Sequence, residues 1–209
     1  MPTERRTQAE RRAATRAQLL DAARELFVEQ GYAQTGTPQI VARAGVTRGA
    51  LYHHFADKAD LFRGVCEREA HAVADAIEDA TRETGTRDTG TRDTSTRDTS
   101  THDTDDPMQA LRLGTDAYLD AMSVPRRARL LLLDAPAVLG PSEALELTRS
   151  DGNAALREGL ARARPDVGDA ELDALTDVLS AAFDRAALAI ANGAERGAYR
   201  DAMARLIGF

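Results

Sequence analysis

The sequence predicts an all-α protein, and three observations lead there. Apolar residues recur at three- and four-residue spacing along most of the chain, and no segment alternates as a half-buried strand would. Strand-forming aromatics are also scarce, with no Trp, four Tyr and five Phe in 209 residues. The first helix carries Leu19, Leu20, Ala23, Leu26 and Phe27 on one face and ends at Gly31. A short second helix follows, with Thr37 as its expected N-cap, Pro38 as its first residue and Ile40, Val41 and Ala44 turned inward. Gly45-Val46-Thr47 makes a tight turn, and Thr47 caps a third helix carrying Leu51, Tyr52 and Phe55. Asp57-Lys58 opens a longer fourth helix through Leu61, Phe62, Val65, Val73 and Ile77 to about Ala80.

From Thr81 to Asp106 the chain repeats a five-residue unit, TRETG, TRDTG, TRDTS, TRDTS, THDTD. Five fits neither the helical nor the strand period, and the unit has no apolar residue to bury, so this stretch is expected to be a solvated linker. Helices resume at Pro107, with Leu111, Tyr118, Leu119 and Met122, then at about Arg126–Ala135 and Pro141–Ala163, the last broken near Gly152. An apolar helix over Asp169–Ala191 and a final one over Glu195–Ile207 complete the chain. The organisation expected is therefore 1–57, a connecting helix 58–80, a linker 81–106 and a second helical unit 107–209.

Charge is unevenly placed. Net charge is −7, yet residues 1–64 hold ten Lys and Arg against seven Asp and Glu, which leaves −10 for the remainder. A basic end on an acidic body suits a protein with one face toward a polyanion. Cys66 is the single cysteine, which excludes an internal disulfide and a cysteine-rich metal site and points to a reducing cytoplasm. The longest apolar run, Leu130 to Leu133, is far short of a membrane span. No nucleophile elbow, phosphate-binding Gly-rich loop or zinc-spaced His pair occurs, and Cys66 and His71 sit five apart on a helix. No enzyme activity, cofactor or metal is expected.

Two short helices around a Gly-containing turn form the helix-turn-helix pattern, in which the second helix enters the DNA major groove. The stretch Thr37 to Phe62, TPQIVARAGVTRGALYHHFADKADLF, resembles the signature of the TetR regulator family through Ile40, Ala44-Gly45-Val46, Arg48-Gly49, Leu51-Tyr52, His54-Phe55 and Lys58. With the first helix and Gly31-Tyr32 the resemblance covers residues 15–62, and LLLLDAPAVLG at Leu130–Gly140 is similar to segments of some members. It implies a homodimeric repressor that binds a double-stranded DNA operator and is released by a small molecule. It also implies phosphate contacts for Tyr52, His54 and Lys58.

By position and type, Arg48 is a candidate for guanine, Gly49 lets the helix approach the bases, and His53 faces base or phosphate. Thr37 and Thr47 complete the DNA-binding candidates. The family has Ser or Thr where Gly36 sits, so Thr37 is expected to take over the cap. Arg5, Arg6, Arg11, Arg12 and Arg16 read either as a solvated tail or as a basic arm for an adjacent groove.

In the second half Tyr118, Met122, Leu132, Asp134, Phe183 and Asp184 are the candidate ligand residues, against the alternative of ordinary bundle core. Asp134, directly after four leucines, either pairs with an arginine or orients a cationic ligand. Leu175, Val178, Leu179, Ala182, Leu188, Leu206 and Ile207 are expected to form a four-helix dimer bundle. A nucleoid organiser and a pure protein-interaction bundle remain as alternative functions.

Overall fold

The structure, a computed structural model, describes residues 7–82, 106–149 and 152–208, and all regular structure among them is helical. Helix α1 (Gln8–Gln30) starts at Thr7, whose hydroxyl accepts from the Glu10 N–H while the Glu10 carboxylate accepts from the Thr7 N–H. This reciprocal cap extends α1 well upstream of its apolar face. Arg11, Arg12 and Arg16 are therefore residues of α1; Arg5 and Arg6 lie outside the described residues. Leu19, Leu20, Ala23, Leu26 and Phe27 are buried, and Gly31 closes the helix at φ 83°.

Helices α2 (Thr37–Ala44) and α3 (Arg48–His54) pack on α1 through Ile40, Leu51 and Phe55, all buried. Gly45 takes φ 67° at the turn between them, a left-handed conformation that glycine adopts without steric cost. The Thr47 hydroxyl accepts from the Ala50 N–H at 3.1 Å, as expected of the α3 cap. The expected cap at Thr37 is corrected: Gly36 is the N-cap and Thr37 the first helical residue. The Gln39 side chain instead accepts the Gly36 N–H at 2.7 Å, which leaves the Thr37 hydroxyl for other work.

Helix α4 (Lys58–Arg82) opens with another reciprocal turn, in which Asp57 accepts from the Asp60 N–H and Asp60 from the Ala56 N–H. It runs two residues beyond its expected end, and Asp106 caps α5 (Pro107–Met122) through the Met108 N–H, so both ends of the expected linker belong to helices. The repeat proper, residues 83–105, lies outside the described residues. The stretch expected at about Arg126–Ala135 divides into α6 (Arg127–Arg129), a π turn (Leu130–Asp134) and α7 (Ala135–Leu139). Pro136 explains the division. It has no N–H for the Leu132 carbonyl and its ring would collide there, so the backbone widens and the Ala135 N–H reaches Leu130. Helices α8 (Pro141–Arg149), α9 (Gly152–Ala163), α10 (Asp169–Ala191) and α11 (Arg196–Ile207) follow.

The core has two parts. One joins α1–α4 to α5–α8 through Phe27, Phe62, Val65, Val73, Met122 and Leu130. The other packs α5, α9, α10 and α11 around Leu111, Leu160, Leu179, Phe183 and Ile207. Leu179 and Ile207, expected in a dimer bundle, are thus buried within their own chain, and Leu175, Ala182 and Leu188 pack against the two cores. Val178 and Leu206 remain exposed.

Within the first part, a buried carboxylate ties α1 to α4 and α6. Glu69 of α4 accepts from Arg24 Nε of α1 and from Arg127 Nε of α6, each at 2.8 Å, and Arg127 also donates to the Ala121 carbonyl at 2.7 Å. Burial alone would raise the Glu69 carboxyl, but the two guanidinium hydrogen bonds outweigh it and hold the group below its usual value of 4.5. A depressed folded-state pKa means that the contribution is complete above about pH 4.5 and is lost as pH falls through the lower, folded value. Glu69→Gln should leave the arginines uncompensated and cost about 3 kcal/mol in urea unfolding. It should also remove part of the wild type's loss of stability below pH 4.5.

Candidate nucleic-acid interface and ligand cavity

Leu51 and Phe55 anchor α3 by their burial and so decide what it presents outward: Arg48, Gly49, Tyr52 and His53 are all exposed. The Tyr52 phenol lies within hydrogen-bond reach of the Thr37 hydroxyl and of Arg48, and these two hold it below its usual value. The Arg48 guanidinium also sits 5.5 Å from the centre of the Tyr52 ring. A hydroxyl from α2 and a cation from α3 thus meet at one phenol. The released Thr37 side chain makes that possible.

Gly49 stands beside them with open space around it. A methyl added there would meet nothing nearer than the Thr47 hydroxyl at 3.9 Å, so no internal packing requires a glycine. His53 and His54 stack edge to face at 5.4 Å. Burial, then His53, Arg12 and Arg16, lower the His54 imidazole from 6.5, so it is a neutral donor at pH 7. The α1 arginines are therefore near α3.

Lys58 has a structural task that its sequence position did not announce. Its Nζ donates to the Tyr32 and Thr35 carbonyls at 3.0 Å each and lies 4.1 Å from the Tyr32 ring centre. It clamps the α1–α2 loop, which leaves one of its three protons for an outside acceptor.

On the other side of the molecule α4, α5, α8, α9 and α10 enclose a cavity of about 710 Å³. Tyr118, Met122, Leu132, Phe183 and Asp184 line it together. Asp134 does not. The π turn directs it to the α1 side, 3.7 Å from Arg129 Nε, the arginine pairing that its position suggested. The Tyr118 phenol donates to Asp184 at 2.8 Å and its ring meets Phe183 edge to face at 5.3 Å. Burial raises the Asp184 carboxyl above its usual range; the same burial, with Asp184 beside it, raises the Tyr118 phenol strongly. Sequence reasoning missed the cavity residues His71, Asn153 and Ser180. The last two share a hydrogen bond of 2.8 Å, and only their polar character on half-buried helix faces hinted at them. Among the described residues no group of His, Cys, Asp and Glu is suited to hold a metal. No helix among them is long and apolar enough to cross a membrane.

Lys58→Met should lower thermal stability in the absence of DNA, by about 1–3 kcal/mol for charge-assisted bonds to carbonyls. An unchanged melting curve would show that the loop does not depend on the clamp.

Comparison with known proteins agrees with this architecture. Residues 19–65 match the model for bacterial regulatory proteins of the tetR family, and residues 108–208 match the tetracyclin repressor-like C-terminal domain. The transcriptional activator FasR of Mycolicibacterium smegmatis is 29% identical over 132 residues, 63% of this chain and 51% of that protein. The transcriptional repressor BepR of Brucella suis is 42% identical over 78 residues, 37% of each. This chain thus matches about half the length of the first relative and less of the second. RolR in complex with resorcinol superposes with a TM-score of 0.62 at 20% identity, over 96% of this chain and 91% of that one. LfrR from Mycobacterium smegmatis in complex with proflavine does so at 0.59 and 20%, over 94% and 96%. At that identity they show a shared fold. Matched across both its helix-turn-helix and its C-terminal helices, the chain belongs to the TetR family of DNA-binding transcription regulators.

Proposed function

We propose that this chain is a homodimeric, cytoplasmic repressor that leaves its operator when a small molecule fills the α4–α10 cavity. One observation carries the reading. Helix α4 clamps the reading head through Lys58, holds the Glu69 triad at its middle, and walls the cavity from Ala70 to Arg82. The reading head and the cavity are therefore attached to one rod. A ligand that fits only one tilt of α4 favours one spacing of the two recognition helices. Operator half-sites lie about 34 Å apart or a multiple of it, so spacing decides affinity. That a relative is a repressor and that neighbours hold resorcinol or proflavine supports the reading by analogy.

On the DNA side Arg48 reads a base edge. Thr37, Thr47, Tyr52, His53, His54 and the remaining Lys58 proton take phosphate or base contacts, and Gly49 admits the groove wall. Gly49→Ala separates folding from binding. It should leave the free protein as stable as wild type or up to about 1 kcal/mol more stable, because alanine favours the helix and nothing obstructs it. Affinity for DNA from the protein's own upstream region should nonetheless fall. Arg48→Ala should lose affinity and base preference at one position, and Tyr52→Phe should weaken all sequences alike with the salt dependence unchanged, because a neutral phenol releases no counterion. Equal affinity of the three variants and wild type would end the proposal.

Two apolar residues that find no cover in their own chain, Val178 at 67% exposure on α10 and Leu206 at 60% on α11, fit the dimer contact. Val178→Glu combined with Leu206→Glu should sediment as a monomer and bind operator weakly. A dimer that persists would place the contact elsewhere.

A further inference from the structure

The cavity carries its own statement about charge, and it rests on the effector reading above. Its lining cations are already engaged: Arg162 pairs with Glu158 at 2.6 Å, and Arg82 pairs with Glu78 and with Asp79. His71 holds its Nδ1 proton against the Glu67 carbonyl at 2.7 Å, which turns a lone pair outward at Nε2 while the ring is neutral. Among the described residues, an anionic molecule would find no unengaged cation on these walls.

Asp184 is the opposite case. One carboxylate oxygen accepts the Tyr118 phenol at 2.8 Å, and the other has no hydrogen-bond partner among the described residues. The group is half-buried on the cavity wall, which Leu111, Leu156 and Ile77 also line. A half-buried carboxylate with a single neutral donor is under-compensated, and a cation with its own apolar body would supply what is missing. The Tyr118 and Phe183 rings flank the same spot and favour a positive group over a neutral one. At about 710 Å³ the cavity has room for a ligand of two or three fused rings. The known neighbours do not decide the matter, since resorcinol and proflavine are chemically unlike.

We infer that the effector is an amphipathic organic monocation whose charged nitrogen pairs with the free oxygen of Asp184 and whose apolar body fills the space between α4, α5 and α9. The test uses three probes on one tricyclic skeleton: 9-aminoacridine, protonated at neutral pH; acridine, neutral; and acridine-9-carboxylate, anionic. Each is titrated by fluorescence into full-length wild type, Asp184→Asn and Asp134→Asn. The asparagine at 184 retains an acceptor for Tyr118, and thermal unfolding checks that the fold is kept. The control variant removes a carboxylate outside the cavity.

Wild type and Asp134→Asn should bind 9-aminoacridine at least ten-fold tighter than acridine and the carboxylate weakest. Asp184→Asn should lose that preference while its affinity for acridine stays within a factor of about two. Equal binding of cation and neutral probe by wild type, a preference that survives in Asp184→Asn, or no binding of any probe would each overturn the inference. The same probes added to the operator complex separate this from the effector reading. A cation that binds through Asp184 yet leaves operator affinity unchanged sinks the effector reading and spares the charge class. Release by acridine, with no preference for the cation, does the reverse.

Discussion

The structure turns on one buried carboxylate. Glu69 sits where α1, α4 and α6 converge, and each of its oxygens is met by an arginine from a different part of the chain. Neither pairing would suffice alone, because removing a carboxylate from water costs several kcal/mol. Two guanidinium groups offset that cost, and the surplus positive charge is dispersed. Arg24 is partly open to solvent, and Arg127 donates to the Ala121 carbonyl near the C-terminal end of α5, where the helix dipole is negative. Such a triad has one good geometry. It fixes how the reading head sits on the body, in a way that apolar contacts between the same helices would not.

Two further pairs extend the same seam. Arg68, one residue earlier on α4, meets Asp21 of α1 at 2.6 Å at the surface, and Arg63 meets Glu143 of α8. These exposed pairs contribute little stability each. Their placement matters more than their strength, since both tie α4 to neighbouring helices.

The legibility of this arrangement in the sequence was uneven, for physical reasons. The helix-turn-helix could be read closely because its determinants are local: an apolar stripe from Leu19 to Phe27, a left-handed Gly45, a Thr47 cap. The cap of α2 was misplaced because Gln39 satisfied Gly36 from three residues away, and a side chain that reaches back competes with any hydroxyl nearby. That the arginines of α1 belong to its helix was not legible, because the Thr7–Glu10 cap precedes any apolar signal. Five candidate cavity residues came together, since helical period alone puts Tyr118 near Met122 and Phe183 beside Asp184. Asp134 was displaced by a π turn that only Pro136, two residues later, foretold. Glu69 itself left a trace, an acid on the stripe of Val65, Cys66, Val73 and Ile77, but its partners are 45 and 58 residues away and no local pattern names them.

That π turn bears on how a signal would travel. The segment Arg127–Leu139 holds Arg127 of the triad at one end and presents Leu131 and Leu132 to the cavity a turn later. Helix α4 does the same from the other side, with Glu69 in the triad and Ala70, Val73 and Ile77 on the cavity wall. A molecule in the cavity, as proposed above, would therefore press on both sides of the same ion pair. Were the π turn able to relax to an α turn, the pressure could dissipate there. Pro136 opposes it, because in the α register its ring would crowd the Leu132 carbonyl. The strain must instead move Arg127 and Glu69 relative to each other or move them together. The hydrogen bonds at 2.8 Å resist the first. On the proposed effector reading, what would remain is a rigid-body tilt that carries Arg24, α1 and the recognition helix with it, the displacement that a spacing-sensitive dimer would read.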